Sequence, residues 1–96
     1  MDTNNLLREK AEEIHRIARK NGAVRLKVFG SFAHGKATEK SDLDLLVEFE
    51  PGRDLLDLIG LKQELETLLA RKVDIVTERA LSPYLRERIL HDAVPL

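Results

Sequence analysis

Two segments of this chain repeat their apolar residues at helical spacing, and short apolar segments lie between and after them. The helical segments are residues 5–20 and 54–70, where Leu, Ile and Ala recur at steps of three and four. This spacing predicts helices that each bury one face. A buried helix face needs a sheet or another helix to cover it, so the chain must build a layered domain around one core.

Three shorter segments have the composition of strands. Residues 24–29 alternate apolar with basic side chains and run into Gly30, which predicts a half-buried strand that ends in a tight turn. The other two strands are predicted at 42–49 and 72–77, where β-branched and aliphatic residues dominate. These strands supply the sheet that the two helices can cover.

The last helix is predicted at residues 84–90, because Pro83 suits the first helical turn. The tail, 93–96, has no assignment. We therefore predict an α/β (α+β) fold, a mixed β-sheet with helices packed on it. The order is α-β-α-β-α-β-α if a short helical turn at 32–34 is counted. A length of 96 residues is enough for a single domain over 1–96.

Composition excludes several classes of protein. Charged residues make up 34% of the chain and hydrophobic ones 43%, the balance of a soluble globular domain. The 16 Lys and Arg residues are matched by 17 Asp and Glu residues, so we expect no stable binding to nucleic acid. The absence of cysteine restricts any metal site to oxygen and imidazole ligands and fits a reducing cytoplasm. Because no apolar run is long enough to span a bilayer, we expect a cytoplasmic protein without a membrane partner.

Acidic residues interrupt two of the predicted strands. Asp42 and Asp44 lie two residues apart, so their side chains share one face of a strand, about 7 Å apart along the chain. Asp74 stands between Val73 and Ile75 in the next strand. Neighbouring carboxylates repel each other unless a cation lies between them, and Mg²⁺ prefers hard oxygen ligands together with substrate phosphates. The three acids therefore predict a magnesium site.

Gly30 and Ser31 supply the complementary half of such a site. A glycine lets the backbone approach a phosphate closely, and amide groups at a following helical turn direct positive partial charge at it. Ser31 adds a hydroxyl. A triphosphate held between this bend and a metal ion suits in-line attack on phosphorus, which is the geometry of nucleotidyl transfer.

This motif resembles that of a known superfamily. Gly30-Ser31, followed after ten residues by Asp42-x-Asp44, is similar to the signature of the polymerase β-like nucleotidyltransferases. The whole chain looks closest to their minimal members, the MNT proteins encoded beside HEPN proteins in bacteria and archaea. The resemblance implies that Asp42 and Asp44 bind metal and that Gly30 and Ser31 hold the triphosphate. It also makes Asp74 the third acid, which binds metal and assists the attacking hydroxyl.

The same resemblance implies a substrate and a partner. The nucleotide would be ATP or another nucleoside triphosphate, and AMP would pass from it to a hydroxyl. His34 would contact the nucleotide, at a position where many relatives carry Arg. The acceptor is a Tyr of a HEPN toxin, which makes this chain the antitoxin in a hetero-oligomer. Larger relatives grip the acceptor with a helical lobe that this chain lacks, so a protein partner would complete the site.

Alternatives exist for each residue. Asp74 could form an ordinary surface ion pair with Lys72, and Ser31 could cap the helical turn at 32–34. His34 could be an exposed loop residue, since its pKa near neutrality makes it a poorer phosphate clamp than Arg. His15 and His91 are interpreted as polar surface residues.

Alternatives also exist for the function. Residues 30–36 fit most of the P-loop spacing, but Ala37 stands where Ser or Thr must bind Mg²⁺, which disfavours that fold. A binding module could neutralise a toxin by covering it, with weak or no catalysis. A nucleotidyltransferase for a small molecule such as an aminoglycoside would normally need the missing helical lobe.

Overall fold

The computed structural model describes residues 3–96. Within this range the chain contains four α-helices and four β-strands. Short 3₁₀ turns lie at Thr3–Asn5, Gly30–Phe32 and Glu78–Ala80. The helices are α1 (Leu6–Glu9), α2 (Ala11–Lys20), α3 (Leu55–Leu69) and α4 (Pro83–Asp92), and the strands are β1 (Ala23–Phe29), β2 (Leu43–Phe49), β3 (Val73–Thr77) and β4 (Val94–Pro95).

The four strands form one mixed sheet in the order β3-β2-β1-β4. β1 pairs antiparallel with β2 and with β4, whereas β2 and β3 run parallel and are connected through α3. Phe29 therefore lies opposite Asp44, and Asp44 lies opposite Asp74 in the next strand. The end of β1 and the starts of β2 and β3 therefore lie together at the same end of the sheet.

The core lies between the sheet and the helices α2 and α3. α3 is started by a capping box, in which the Asp54 carboxylate accepts from Leu56 N at 2.9 Å and Asp57 accepts from Asp54 N at 2.9 Å. Alternate side chains of β2 enter this core, so the side chains between them point to the opposite face of the sheet. The buried core residues are Leu7, Ile14, Ala18, Ala23, Leu26, Val28, Leu43, Leu45, Val47, Leu61, Leu65, Leu69 and Val73.

The predicted fold class is confirmed, with differences in detail. The predicted first helix divides at Lys10, and the unassigned tail forms the short edge strand β4. Asp42 directly precedes β2, where the strand had been expected to include it, and the helical turn after β1 starts at Gly30, two residues before its predicted position. Among residues 3–96, none of the helices has the length and hydropathy needed to cross a membrane.

Candidate active site

Asp44 and Asp74 lie side by side on the face of the sheet that the helices α2 and α3 do not cover. They are register partners in the parallel pair β2 and β3. Their chain neighbours Leu43, Leu45 and Val73 are buried on the opposite face, which fixes the direction of both carboxylates. The third acid, Asp42, is exposed and directly precedes β2. The sheet thus brings Asp44 and Asp74 together, and Asp42 lies two residues before Asp44 in the chain.

Gly30 touches the same cluster from the end of β1. It has a φ of 74°, a backbone conformation that favours glycine. A Cβ at this position would collide with Oδ2 of Asp44. Glycine is therefore favoured here by its backbone conformation, and a side chain at this position would have to displace the Asp44 carboxylate.

Ser31 and His34 follow in the bend, and they differ in their surroundings. Ser31 lies inside the 3₁₀ turn, whose N-cap residue is Phe29 and which no side chain caps, so the capping interpretation is wrong. The Ser31 carbonyl accepts from His34 N at 3.3 Å and from Lys36 N at 3.0 Å, which curls the backbone into a compact bend. The His34 side chain is exposed, and no hydrogen bond or ion pair within residues 3–96 joins it to the acids.

The acids form a strongly negative cluster. Burial raises the pKa of the Asp44 carboxyl, and the charges of Asp74 and Asp42 raise it further, whereas Lys72 lowers it. Lys72 Nζ lies 3.8 Å from Asp74 Oδ1, with the side chains 62% and 41% exposed. The expected surface pair is therefore present, but so long and exposed a contact leaves most of the negative charge uncompensated.

This donor set fits a divalent cation that also binds phosphate. Among the described residues, no three His, Cys, Asp or Glu side chains are grouped so that they could hold a metal ion. Mg²⁺ commonly takes only one or two carboxylates and completes its octahedron with water and substrate phosphates. Asp42, Asp44 and Asp74 offer hard oxygen atoms beside a glycine-containing bend, so nucleotide phosphates could supply the other ligands.

Two residues of α3 hold the start of β3, and the sequence analysis missed them. Lys62 Nζ donates to the Val73 carbonyl at 2.6 Å, and the Glu66 carboxylate accepts from Val73 N at 2.9 Å. Glu66 and Lys62 also pair with each other at 3.3 Å. They fix the backbone immediately before Asp74. Their only sequence signal is a spacing of four residues on the side of a helix, which many surface pairs share.

A cleft of about 650 Å³ lies at the opposite end of β2 and β3, next to Phe49, Arg53, Leu58 and Thr77. It begins three residues after Asp44 in β2, and none of the three acids lines it. The exposure of Asp42 and of the Asp74 side chain shows that the acidic site itself is open to solvent. An acceptor group can therefore reach the acids from outside the molecule.

Comparisons with known proteins agree with this geometry. The family profile described as "Nucleotidyltransferase domain" matches residues 8–96. A protein of Methanocaldococcus jannaschii, named as a candidate protein adenylyltransferase, is 44% identical over 88 residues, covering 92% of this chain and 95% of its own length.

Solved structures show the same likeness. The structure of a candidate minimal nucleotidyltransferase has a TM-score of 0.88 at 54% identity, covering 100% of this chain and 97% of the other. A toxin-antitoxin crystal structure with AMP-PNP has a TM-score of 0.74 at 26% identity, covering 88% of this chain and 69% of that chain. The family match extends over residues 8–96, and the protein belongs to the nucleotidyltransferase domain family.

Proposed function

We propose that this chain transfers AMP from ATP to a hydroxyl group of a protein acceptor, with Mg²⁺ held by Asp42 and Asp44 beside Asp74. The acceptor is a Tyr of a HEPN toxin, and the modification silences that toxin. The observation that carries the proposal is the pairing of Asp44 with Asp74, with the Gly30 backbone against Asp44. The names of the relatives, a protein adenylyltransferase and a toxin-antitoxin complex with AMP-PNP, support the acceptor class and the nucleotide.

The residues divide the chemistry between them. Gly30 and Ser31 hold the triphosphate through backbone amides and a hydroxyl, and Asp42 and Asp44 hold the cation. A bound Mg²⁺ would neutralise charge on the phosphates. The acceptor oxygen forms a bond to the α-phosphorus while the bond to pyrophosphate breaks, and the hydroxyl proton passes towards Asp74. Each of these residues would therefore lie beside an atom whose charge changes during the in-line displacement at phosphorus.

The open site explains why a macromolecular acceptor suits this chain. The carboxylates lie on the sheet face opposite α2 and α3, and the Asp74 side chain is 41% exposed. A small acceptor would need walls to orient it, because catalysis depends on holding the reacting atoms in place. A protein partner brings its own surface and can bury the site on binding. Chain and toxin would then form a hetero-oligomer.

The test is label transfer between purified proteins. The chain and the toxin encoded beside its gene are incubated with Mg²⁺ and ATP labelled at the α-phosphate, and label on the toxin is measured. We expect transfer by the native chain and a loss of at least about a hundredfold in the double variant Asp42→Asn with Asp44→Asn, because metal-assisted stabilisation contributes several kcal/mol. Glu48→Gln is the matched control, since Glu48 is an exposed acid later in the same strand.

Unchanged transfer by the double variant would remove these acids from the mechanism. If the native chain transfers no label but still restores growth of cells that produce the toxin, neutralisation by binding replaces the catalytic proposal. Labelling that survives Tyr→Phe substitutions throughout the toxin would show that Tyr is not the acceptor.

A further inference from the structure

Arg71 connects the two halves of the site through a single guanidinium group. It lies in the turn between α3 and β3. Its Nη1 donates to the carbonyl of Ser41 at 2.9 Å and to that of Thr38 at 3.2 Å. The same guanidinium lies 5.1 Å from the centre of the Phe32 ring. Phe32 directly follows Ser31 of the bend, and Ser41 directly precedes Asp42 of the acidic cluster. Arg71 therefore contacts one residue beside the bend and one beside the acids.

The segment that Arg71 holds is already folded into a local turn. Ser41 N donates to the Thr38 carbonyl at 3.0 Å, and Thr38 N donates to Ser41 Oγ at 2.8 Å. Residues 38–40 are exposed and belong to no helix or strand. The hydrogen bonds of Arg71 therefore tie this preformed turn to the segment between α3 and β3.

The backbone around Arg71 is itself fixed to the sheet. Leu43 N donates to the carbonyl of Lys72, the residue after Arg71, at 2.9 Å. This hydrogen bond ties the backbone next to Arg71 to the start of β2, beside the paired residues Asp44 and Asp74. A guanidinium suits this place better than an ammonium, because its planar donors can serve two carbonyls while its face stacks on a ring.

We propose that Arg71 is a positioning residue for nucleotidyl transfer, which sets the distance between the Gly30-Ser31 bend and the acids Asp42 and Asp44. This inference rests on the proposed function and deepens it. A nucleotide must touch the bend and the metal at once, so its reacting phosphorus is only as well placed as these two parts are. In this proposal Arg71 acts through its contacts with Thr38, Ser41 and Phe32 and not through the substrate.

The test measures kcat and KM for ATP in Arg71→Ala and Arg71→Lys. Misplacement of reacting groups by about 1 Å can cost on the order of a hundredfold in rate, so we expect kcat/KM of Arg71→Ala to fall by about tenfold to a hundredfold. Both a higher KM and a lower kcat should contribute. Arg71→Lys, which keeps a charge and a donor, should recover part of the loss. The matched control is Arg25→Ala, since Arg25 is 76% exposed and pairs with Glu48 away from the bend.

A second measurement does not depend on activity. Amide hydrogen exchange of residues 33–41 should accelerate in Arg71→Ala, while exchange in α3 and in β1 stays as in the native chain. If Arg71→Ala does not fold, Arg71→Lys decides both measurements. Native kcat/KM and native exchange in the variant that folds would overturn the proposal. A native chain that transfers no label would overturn the proposed function instead, and the exchange result would still test the role of Arg71.

Discussion

At the scale of single residues, the surroundings of Asp44 make its ionised form unfavourable. Its pKa is raised by burial and by the charges of Asp74 and Asp42. A carboxyl whose pKa is higher in the folded chain favours folding at low pH, and this contribution is lost as the pH rises through the raised pKa. At neutral pH the ionised Asp44 carboxylate therefore opposes folding. A cation bound at the proposed site would offset this effect.

Substitutions at Gly30 and Gly35 distinguish the effect of backbone strain from the effect of crowding beside Asp44. Both have positive φ, 74° and 68°, but a Cβ at Gly30 meets the Asp44 carboxylate whereas one at Gly35 has no atom within 4 Å. Each change to Ala should cost about 1–2 kcal/mol of stability, because a left-handed conformation is unfavourable for Ala. Only Gly30→Ala displaces Asp44, so only it should reduce label transfer per folded molecule, by about tenfold or more.

Thermal unfolding and label transfer of the two glycine variants check this expectation. A native transfer rate in Gly30→Ala would mean that the space beside Asp44 is not needed for the reaction. A loss of transfer in Gly35→Ala as large as in Gly30→Ala would point to backbone conformation in the whole bend.

At the scale of elements, periodicity explains what could be predicted from the sequence. The long helices and the three longer strands bury many residues at a regular spacing, and this spacing is visible without a structure. β4 could not be predicted, because two residues contain no period and Pro95 argues against a strand except at an edge, where it lies. The division of the first helix at Lys10 has no sequence signal, since Lys is a good helix former.

The link between α3 and β3 gives a pH-dependent prediction. The pKa of Glu66 is lowered, chiefly by the hydrogen bond from Val73 N and then by Lys62 and Lys72. A lowered pKa means that the stabilisation is present above the unfolded-state pKa and is lost as the pH falls through the folded-state value. Glu66→Gln should therefore lower Tm by a few degrees at pH 7. This difference should begin to shrink as the pH falls below about 4, near the usual pKa of Glu, and disappear only below the lowered folded-state pKa.

Thermal unfolding of Glu66→Gln across this pH range is the measurement. Glu87→Gln is its control, because Glu87 is an exposed acid on α4. A Tm difference between Glu66→Gln and the native chain that persists unchanged into acid would show that the carboxylate charge is not what stabilises the start of β3.

At the scale of the whole molecule, the candidate site is assembled from distant parts of the chain on the sheet face opposite α2 and α3. Its acids and its Gly30-Ser31 bend could be predicted, because charged residues in buried strands and a glycine after a strand are local anomalies. The supports at Lys62, Glu66 and Arg71 could not, since they act through contacts with backbone atoms that only the fold brings near. The sequence pattern therefore predicts the groups that would touch the substrate, and the fold adds those that hold them.

The most direct test of the central claim is paramagnetic NMR of the isotope-labelled chain with Mn²⁺ and a non-hydrolysable ATP analogue. Mn²⁺ broadens the signals of nearby amides, so it locates the cation on the molecule. We expect the strongest broadening at Gly30, Ser31, Asp42, Asp44 and Asp74, and its loss in the double variant Asp42→Asn with Asp44→Asn. Broadening centred on the cleft beside Arg53 and Thr77, or equal broadening in the double variant, would contradict the account.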